Sequence, residues 1–292
     1  MVSENKAIVW LNNEFAREDE AKISISDRGI LYGDGFFTTM RAEEGNVFFL
    51  DYHLERISGS CRSFYIRFPE ILKDHNIYKT LLAKNGLQNS IAVVKLVITR
   101  GKDRTIGLPE GNAPTCIITV RQYNLPDPDV YSRGWNLVSF DFPRISPLAK
   151  HKTLNYLYNL WARQYAVDAG ADEALLIDPD LFIAETATGT VVVRFEDGWF
   201  TPVLPGNGAG ILPGVTLRML RMILERDGIY ITPRCIRLKE LNRARDVWVL
   251  NSLMGVMPVN SVDGVKLPQD SKDYYKSVMA KLWHYAKGRE DF

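Results

Sequence analysis

The sequence predicts an α+β fold divided between two domains. The chain has 292 residues, strand-like and helix-like segments follow one another in both halves, and residues 125–129 (Leu-Pro-Asp-Pro-Asp) have the composition of a linker. Single hydrophobic cores stop growing at about 250–300 residues, so this length favours two cores. We therefore expect an N-terminal α/β domain over residues 1–120, a linker over 121–131 and a C-terminal α+β domain over 132–292.

The N-terminal domain is expected to combine strands with two helices. β-branched and aromatic runs predict strands at 7–11, 36–42, 47–50, 91–99 and 115–120. Turn residues at 12–13 and 43–46 separate neighbouring strands as in hairpins. Asp51 is a candidate N-cap for a helix with an apolar stripe. A second helix is expected over 69–84, because apolar residues recur there and Gly86 follows.

The C-terminal domain is expected to begin near Trp135. Helices are predicted over 153–169, 215–227 and 271–287, and glycine follows the first two of them. Strands are predicted over 174–177, 190–195, 229–232 and 246–250. These elements indicate a mixed α+β chain, and no internal repeat or low-complexity segment is evident.

Composition and charge narrow the class of protein. Hydrophobic residues make up 46% and charged residues 24%, which is typical of a globular chain. Lys and Arg total 36 against 35 Asp and Glu, a formal charge of +1, so nothing favours nucleic acid or an anionic membrane as a partner. No apolar run approaches the roughly 18–20 residues of a membrane-spanning helix, and residues 1–6 lack the features of a signal peptide.

Cysteine and histidine give no sign of a disulfide framework or a metal site. The three cysteines are odd in number and far apart, which favours a reducing cytoplasm. The four histidines are scattered without zinc-binding spacing, so no metal is expected. The sequence also lacks the glycine-rich motifs of dinucleotide-binding and P-loop proteins.

Lys152 is the first candidate functional residue. It lies just before or at the start of the helix predicted over 153–169, and apolar residues flank it. Burial lowers the pKa of a lysine amine and makes it a usable nucleophile or base. An exposed lysine without a function is the ordinary alternative at such a position. Lys150 is a competing candidate that the spacing alone does not exclude.

Three other features have the chemistry of a binding site. Pro213-Gly214 precedes a predicted helix, whose free N–H groups suit an anion, although a plain turn has the same pattern. The planar guanidinium of Arg56 suits a phosphate, but an arginine at this position can equally pair with a carboxylate or lie in solvent. Glu185 stands among small and β-branched residues. It needs a partner if it is buried and none if it lies at a solvated edge.

The order of these features resembles the class IV aminotransferase family. The resemblance covers roughly residues 5–265. It rests on segments 26–29 (Ser-Asp-Arg-Gly), 33–37 (Gly-Asp-Gly-Phe-Phe), 53–56 (His-Leu-Glu-Arg), 152–155 (Lys-Thr-Leu-Asn), 170–176 (Gly-Ala-Asp-Glu-Ala-Leu-Leu), Glu185 and 212–216 (Leu-Pro-Gly-Val-Thr). It implies a fold-type-IV architecture, D-amino acid aminotransferase-like or branched-chain aminotransferase-like, with a pseudo-barrel C-terminal domain. The cofactor that it implies is pyridoxal 5'-phosphate.

The resemblance assigns roles to individual residues. Lys152 would bind the cofactor covalently and then move protons as base and acid. Glu185 would accept a hydrogen bond from the pyridine nitrogen. Tyr156, offset by one residue from the family's tyrosine, would contact the phenolic oxygen. Ser252 and Leu253 match the position of a second phosphate or substrate carboxylate contact. The phosphate itself would be bound by one side chain and two helix N-terminal amides, those of Arg56, Val215 and Thr216.

Two departures from the family pattern bear on the reaction. Thr190 stands where many members have Asn, so the role of that Asn must be filled differently here. Thr38 stands where many amino-acid transaminases have Glu, and the pair Thr38-Thr39 resembles 4-amino-4-deoxychorismate lyases. Residues 251–259 (Asn-Ser-Leu-Met-Gly-Val-Met-Pro-Val) resemble the same lyases.

The resemblance therefore implies, first, a 4-amino-4-deoxychorismate lyase, which releases pyruvate and 4-aminobenzoate in folate biosynthesis. The Thr38 hydroxyl would protonate the expelled oxygen, where a carboxylate would repel an anionic substrate. Arg104 would bind a substrate carboxylate, or else is an exposed loop arginine. The alternative is an aminotransferase acting on branched-chain L- or D-amino acids. A third reading, a cofactor carrier without activity, conflicts with intact Lys152 and Glu185.

The expected partners are a small-molecule substrate and a second copy of the chain. The family resemblance implies a homodimer, and the aromatic content of 11% is compatible with such an interface. Neither nucleic acid nor a membrane is expected as a partner.

Overall fold

The computed structural model describes residues 7–111, 113–206, 210–271 and 273–288. The chain divides into two compact units: Met1–Asn124 with His151–Asn155, and Leu125–Lys150 with Tyr156–Phe292. The sequence-based division placed residues 151–155 in the C-terminal domain, and the structure corrects this. The reason is that their backbone pairs with a strand of the first unit, as described below.

The first unit contains a six-stranded antiparallel sheet within its described residues. Its strands are β1 (Ile8–Leu11), β2 (Glu14–Arg17), β3 (Gly35–Glu43), β4 (Asn46–Val47), β5 (Ala92–Thr99) and β6 (Thr115–Gln122). They lie in the order β2-β1-β6-β5-β3-β4. The helices of this unit are α1 (Arg28–Tyr32), α2 (Leu50–Ser63) and α3 (His75–Lys84), with a 3-10 helix at Glu70–Lys73.

Strand β3 separates two environments because successive side chains of a strand point to opposite faces. Phe36 and Met40 belong to the core that also contains Leu54, Ile57 and Cys61 of α2. Phe37 and Thr39 therefore face the other side of the sheet. This alternation determines which residues of the Phe-Phe-Thr-Thr segment meet helix α2 and which do not.

Two helix predictions in this unit are corrected. Helix α2 begins at Leu50, so Asp51 lies in its first turn rather than at its N-cap. The helix expected over 69–84 is interrupted at Asp74, whose carboxylate accepts a hydrogen bond from the backbone N–H of Asn76 (3.0 Å). An aspartate that caps the following helix has extended backbone angles and so ends the 3-10 turn before it.

The segment 151–155 pairs with the beginning of β3. The backbone N–H of Phe37 donates to the carbonyl oxygen of Lys152 (2.9 Å), and that of Leu154 donates to Gly35 (3.0 Å). Thr153 and Phe36 form an antiparallel bridge between these two bonds. The helix predicted over 153–169 therefore begins only at Leu157, because the backbone groups of its first residues are used in strand pairing.

The second unit contains a nine-stranded mixed sheet within its described residues. Its strands are β7 (Trp135–Ser139), β8 (Glu173–Ile177), β9 (Ile183–Thr186), β10 (Thr190–Phe195), β11 (Gly198–Pro202), β12 (Ile231–Arg234), β13 (Asp246–Asn251), β14 (Gly255–Val262) and β15 (Val265–Lys266). The order is β12-β11-β10-β13-β14-β7-β8-β9, and β15 pairs with β14. Pairs β7–β8, β7–β14 and β11–β12 are parallel.

The helices of the second unit are α4 (Pro128–Arg133), α5 (Leu157–Asp168), α6 (Val215–Arg226) and α7 (Tyr274–Ala286), with 3-10 helices at Pro147–Lys150 and Leu238–Arg243. The predicted linker 121–131 is therefore partly regular. Strand β6 continues to Gln122, and Asp127 caps α4 through the N–H of Asp129 (2.9 Å). The last helix begins at Tyr274 rather than 271, and Lys272 lies outside the described residues.

The core of the second unit lies where α6 packs against the central strands. Val191, Trp248 and Val256 are fully buried together with Leu220 and Leu224 of α6. Such β-branched and aromatic strand residues are predicted by the sequence pattern, and their burial stabilises the strand order. Within the described residues, no α-helix has the length and apolar character required to span a bilayer.

Candidate active site

The Lys152 side chain of the first unit lies against an aromatic ring. Its Nζ is 4.8 Å from the centroid of the Phe37 ring, and the Nζ of Lys95 is 4.9 Å from the same centroid. Phe37 is buried, Lys152 is half-buried and Lys95 is exposed. In the antiparallel register Lys95 lies opposite Thr39, which is half-buried. Two amines thus lie near one ring, and Thr39 lies on the same face of the sheet.

On the opposite face, Thr38 connects two residues of helix α2. The Nη2 of Arg56 donates to the Oγ1 of Thr38 (3.0 Å), and the same oxygen lies 2.7 Å from Nδ1 of His53. Thr38 and His53 have no exposed surface. Burial, together with the positive charges of Arg56 and Lys152, lowers the pKa of His53 well below its usual value. His53 is therefore neutral, with one ring nitrogen able to accept a hydrogen bond.

The residue before Lys152 is also fixed to α2. Nδ1 of His151 lies 2.9 Å from Oγ of Ser60, and its ring meets the edge of Phe64 at 4.9 Å between centroids. The hydroxyl of Ser60 donates to the carbonyl oxygen of Arg56 (3.3 Å). The backbone that carries Lys152 is therefore held from both sides, by β3 and by α2.

The motif residues of segments 26–29 and 33–35 build a structural network. Asp34 accepts hydrogen bonds from Nε of Arg28 (2.7 Å) and from Nε and Nη2 of Arg100 (2.7 and 3.0 Å). The same arginines donate to three carbonyl oxygens of the loop that follows β5, those of Thr105, Gly107 and Pro109 (2.6–2.8 Å). Arg104 lies in this loop, is exposed, and has no hydrogen bond or ion pair within the described residues. Its role in substrate binding remains a prediction.

In the second unit, helix α6 presents an open N-terminus. Gly214 precedes it and no side chain caps it in the described part of the chain. The N–H groups of Val215 and Thr216 belong to the first turn, which has no partners within its own helix. A Cβ at Gly214 would lie 2.5 Å from Oγ1 of Thr190, so only glycine allows this approach. Thr190, the residue that replaces the family's Asn, therefore packs directly beneath the start of α6.

Ser252 and Leu253 lie in the turn between β13 and β14. The side-chain oxygen of Asn251 accepts hydrogen bonds from the N–H groups of Leu253 and Met254 (both 3.0 Å). Oγ of Ser252 lies 3.4 Å from Oγ1 of Thr216. Ser252 therefore lies beside the first turn of α6, and its contact with a phosphate remains a prediction.

Glu185 is half-buried near the end of β9, and a short turn follows this strand. The carbonyl oxygen of Ala187 in this turn accepts hydrogen bonds from the Tyr156 hydroxyl (2.9 Å) and from the side-chain amide of Asn159 (3.0 Å). The hydroxyl of Thr188 donates to the buried carboxylate of Glu173. The structure thus gives Tyr156 a protein partner, and its contact with a cofactor oxygen remains a prediction.

Lys150 belongs to the second unit, whereas Lys152 belongs to the first. It ends the 3-10 helix Pro147–Lys150 of the second unit, and a Cβ on Gly210 would lie 1.9 Å from its Cγ. The sequence patterns did not predict a role for three residues that the structure places at or near these groups: His53, Lys95 and Glu173. Alternation along β5 is the only sequence signal for Lys95, since strand partners are not encoded locally. His53 and Glu173 lay inside recognised motifs, but without a role of their own.

The two units contain donors that fit pyridoxal 5'-phosphate by their chemistry. The first unit offers an amine and a guanidinium, and the second offers an uncapped helix N-terminus with two hydroxyl groups. A phosphate is favoured at such an N-terminus by its N–H groups and by the helix dipole. Among the residues that the structure describes, no group of three or more His, Cys, Asp or Glu side chains has the arrangement of a metal site.

Comparison with known proteins decides the family. The sequence profile described as amino-transferase class IV matches residues 35–262. The chain belongs to this family. A putative branched-chain-amino-acid aminotransferase of Methanocaldococcus jannaschii is 30% identical over 261 residues, 88% of each chain. An aminodeoxychorismate lyase of Bacillus subtilis is 26% identical over 293 residues, 97% of this chain and 98% of that protein.

A solved structure confirms the fold class. A hypothetical aminotransferase from Mycobacterium tuberculosis, in its PLP-bound form, superposes with a TM-score of 0.80 at 21% identity. The match covers 95% of this chain and 98% of that one. This match confirms the predicted α+β, fold-type-IV architecture. The family match confirms the prediction of an enzyme that depends on pyridoxal 5'-phosphate.

Proposed function

We propose that this class IV enzyme is a 4-amino-4-deoxychorismate lyase. The observation that carries the proposal is the face around Phe37, where Lys152 is accompanied by Lys95 and Thr39. Lys95 forms no ion pair within the described residues, so its charge is available to an anion. 4-Amino-4-deoxychorismate carries two carboxylates, whereas a branched-chain amino acid carries one and an apolar side chain. A face with an exposed cation favours the first substrate.

The residues that the resemblance assigns would bind the cofactor. Lys152 would supply the amine that holds its aldehyde carbon, and Glu185 would accept a hydrogen bond from its pyridine N–H. The residues assigned to its phosphate are Arg56, Ser252 and the N–H groups at the start of α6, which would hold it by charge and hydrogen bonds. When bound, the pyridine ring accepts the electrons of a bond broken next to the substrate nitrogen. Tyr156 and Leu253 line the proposed cofactor and substrate sites.

The reaction requires two proton transfers that residues of this chain carry out. The Lys152 amine removes the ring proton from the carbon that bears the substrate nitrogen. The bond from the neighbouring ring carbon to the enolpyruvyl oxygen then breaks, and that oxygen takes the electron pair and needs a proton. The products are 4-aminobenzoate and, after tautomerisation, pyruvate. Aromatisation of the ring drives the step.

We assign the donation of that second proton to Thr39 rather than Thr38. Thr38 has no exposed surface, and its hydroxyl already contacts Arg56 and His53. Thr39 is half-buried on the same face as Phe37, opposite Lys95. Thr39→Val is therefore expected to lower kcat for 4-aminobenzoate formation by about 10²-fold, the size of a general-acid contribution. Thr39→Ser should restore most of it.

A second candidate is an amino-acid aminotransferase. The observation in its favour is the 30% identity to a putative branched-chain-amino-acid aminotransferase. Both reactions need the same lysine amine, so Lys152 does not discriminate between them. The discriminating feature is the cation at position 95, which a branched aliphatic side chain would leave without a partner.

The experiment supplies 4-amino-4-deoxychorismate and measures 4-aminobenzoate and pyruvate, then supplies leucine or D-alanine with a 2-oxo acid. The lyase proposal expects product only in the first assay. Amino transfer without 4-aminobenzoate would overturn it. Lys95→Met should raise the KM for the lyase substrate about tenfold, on the order of 1.4 kcal/mol. Lys79→Met, an exposed lysine on α3, is its matched control.

Variants of two lysines, Lys152 and Lys150, test which of them binds the cofactor covalently. Lys152→Ala is expected to abolish the absorbance band of the bound cofactor and its fixation by borohydride. Lys150→Ala should keep both, and fixation that persists in Lys152→Ala would transfer the role to Lys150.

The homodimer and the cytoplasmic location stay predictions. Sedimentation equilibrium tests the first and cell fractionation the second.

A further inference from the structure

The chain of hydrogen bonds from Arg56 through Thr38 to His53 is internal to the first unit. Arg56 and His53 are three residues apart on α2, so they lie on the same face of the helix. Thr38 lies in the middle of β3 and receives the guanidinium on the oxygen that also contacts His53. A threonine hydroxyl has one proton and two lone pairs, so it can accept from Arg56 and donate to His53 at once.

We propose that Thr38 and His53 are positioning residues that hold the Arg56 guanidinium for the phosphate of the cofactor. This inference rests on the proposed function, because it takes Arg56 as the phosphate ligand. It gives Thr38 a role that differs from the proton donor expected from the sequence. It also gives His53, inside the His-Leu-Glu-Arg segment, a role in the site.

The physical argument concerns the freedom of the arginine. An arginine side chain has several rotatable bonds, and their freedom must be lost when it binds a phosphate. The hydrogen bond from Arg56 Nη2 to Thr38 fixes the guanidinium before the phosphate binds, so less conformational entropy is lost on binding. Because the guanidinium is planar and rigid, its other N–H groups then keep a fixed direction. The Thr38 end of this bond has no exposed surface and Arg56 is half-buried, so water has limited access to compete for it.

The neutral state of His53 completes the arrangement. An imidazolium would offer no acceptor to the Thr38 hydroxyl and would repel Arg56. A neutral ring accepts the hydroxyl proton and leaves the threonine oxygen free to accept from the guanidinium. A valine at position 38 or an aliphatic residue at position 53 would interrupt this chain while it keeps the core filled.

The test compares two probes on the full-length chain after removal of the cofactor with hydroxylamine. Pyridoxal 5'-phosphate and pyridoxal differ only by the phosphate, so the ratio of their Kd values reports the phosphate contacts. Thr38→Val and His53→Leu are expected to weaken pyridoxal 5'-phosphate about tenfold, or roughly 1.4 kcal/mol, and pyridoxal by less than about twofold. Thr38→Ser and His53→Asn, which place a hydroxyl and an amide at the same atoms, should restore most of the ratio.

A matched control separates positioning from packing. Ile57→Val perturbs the same buried face of α2 without touching the hydrogen bonds, and it should leave the ratio unchanged. Urea unfolding of each variant checks that the folded chain is being measured. An unchanged ratio in Thr38→Val and His53→Leu, or equal weakening of both probes, would overturn the inference while the proposed function stands. A wild-type chain that binds neither probe would overturn both.

Discussion

Replacement of Asp34 by asparagine probes the network that holds the loop after β5. Asp34 accepts three hydrogen bonds of 2.7–3.0 Å from Arg28 and Arg100, whose side chains are 5% and 1% exposed. Burial by itself raises the pKa of the Asp34 carboxyl. The hydrogen bonds and charges of Arg100 and Arg28 outweigh burial and hold that pKa below its usual value.

The magnitude follows from the two arginines that the substitution leaves behind. Asp34→Asn removes the negative charge and leaves two buried guanidinium groups beside each other. Removal of one partner from a buried ion pair costs about 3–5 kcal/mol, and we expect a loss of this size in the free energy of unfolding. Because the pKa of the folded state is depressed, this stabilisation is present above the ordinary pKa of aspartate and is lost as pH falls from there through the depressed pKa of the folded state.

Urea unfolding followed by fluorescence measures the loss, and limited trypsin digestion at exposed Arg104 reports on the loop. The control is Asp19→Asn, which breaks an exposed pair with Arg17 and should cost no more than about 1 kcal/mol. A free-energy change in Asp34→Asn no larger than that of the control would refute the reasoning. Cleavage at Arg104 should be faster in Asp34→Asn than in the wild type.

Three further predictions concern other buried groups. Burial raises the pKa of the Glu173 carboxyl, so the folded state binds its proton more tightly and the free energy of unfolding falls as pH rises through that pKa. The urea midpoint of Glu173→Gln should therefore exceed that of the wild type at pH 8 and match it near pH 4. Gly255→Ala should cost about 2–4 kcal/mol in the same assay, because its φ is +77° and a Cβ would lie 2.7 Å from Trp283. Burial raises the pKa of the Cys61 and Cys116 thiols to about 12, so a thiol reagent should modify only Cys235 before unfolding. The first prediction would be contradicted by equal urea midpoints at both pH values, and the second by an unchanged free energy of unfolding in Gly255→Ala. Fast labelling of a second cysteine would contradict the third.

Much of the secondary structure could be predicted from local pattern. Strands β3, β5, β6 and β10 lie within two residues of the predicted runs, because β-branched segments between turn residues are a local signal. Helix α6 begins at Val215 as expected, since Pro-Gly marks its start. The errors fall where a distant partner competes for the backbone. Residues 153–156 have helical spacing, yet three consecutive residues, 152–154, bond or bridge to β3.

The motifs were enough to indicate the family and the candidate residues, because an ordered series of motifs identifies a chemistry without knowledge of contacts. The three-dimensional packing was needed to show that Lys152 joins the first unit, that Lys95 shares its aromatic ring, and that Thr38 faces helix α2 while Thr39 faces the side of Phe37. These relations depend on strand register and on pairing between segments more than a hundred residues apart. Such pairing is chosen by the packing of the whole unit rather than by any local stretch of the chain.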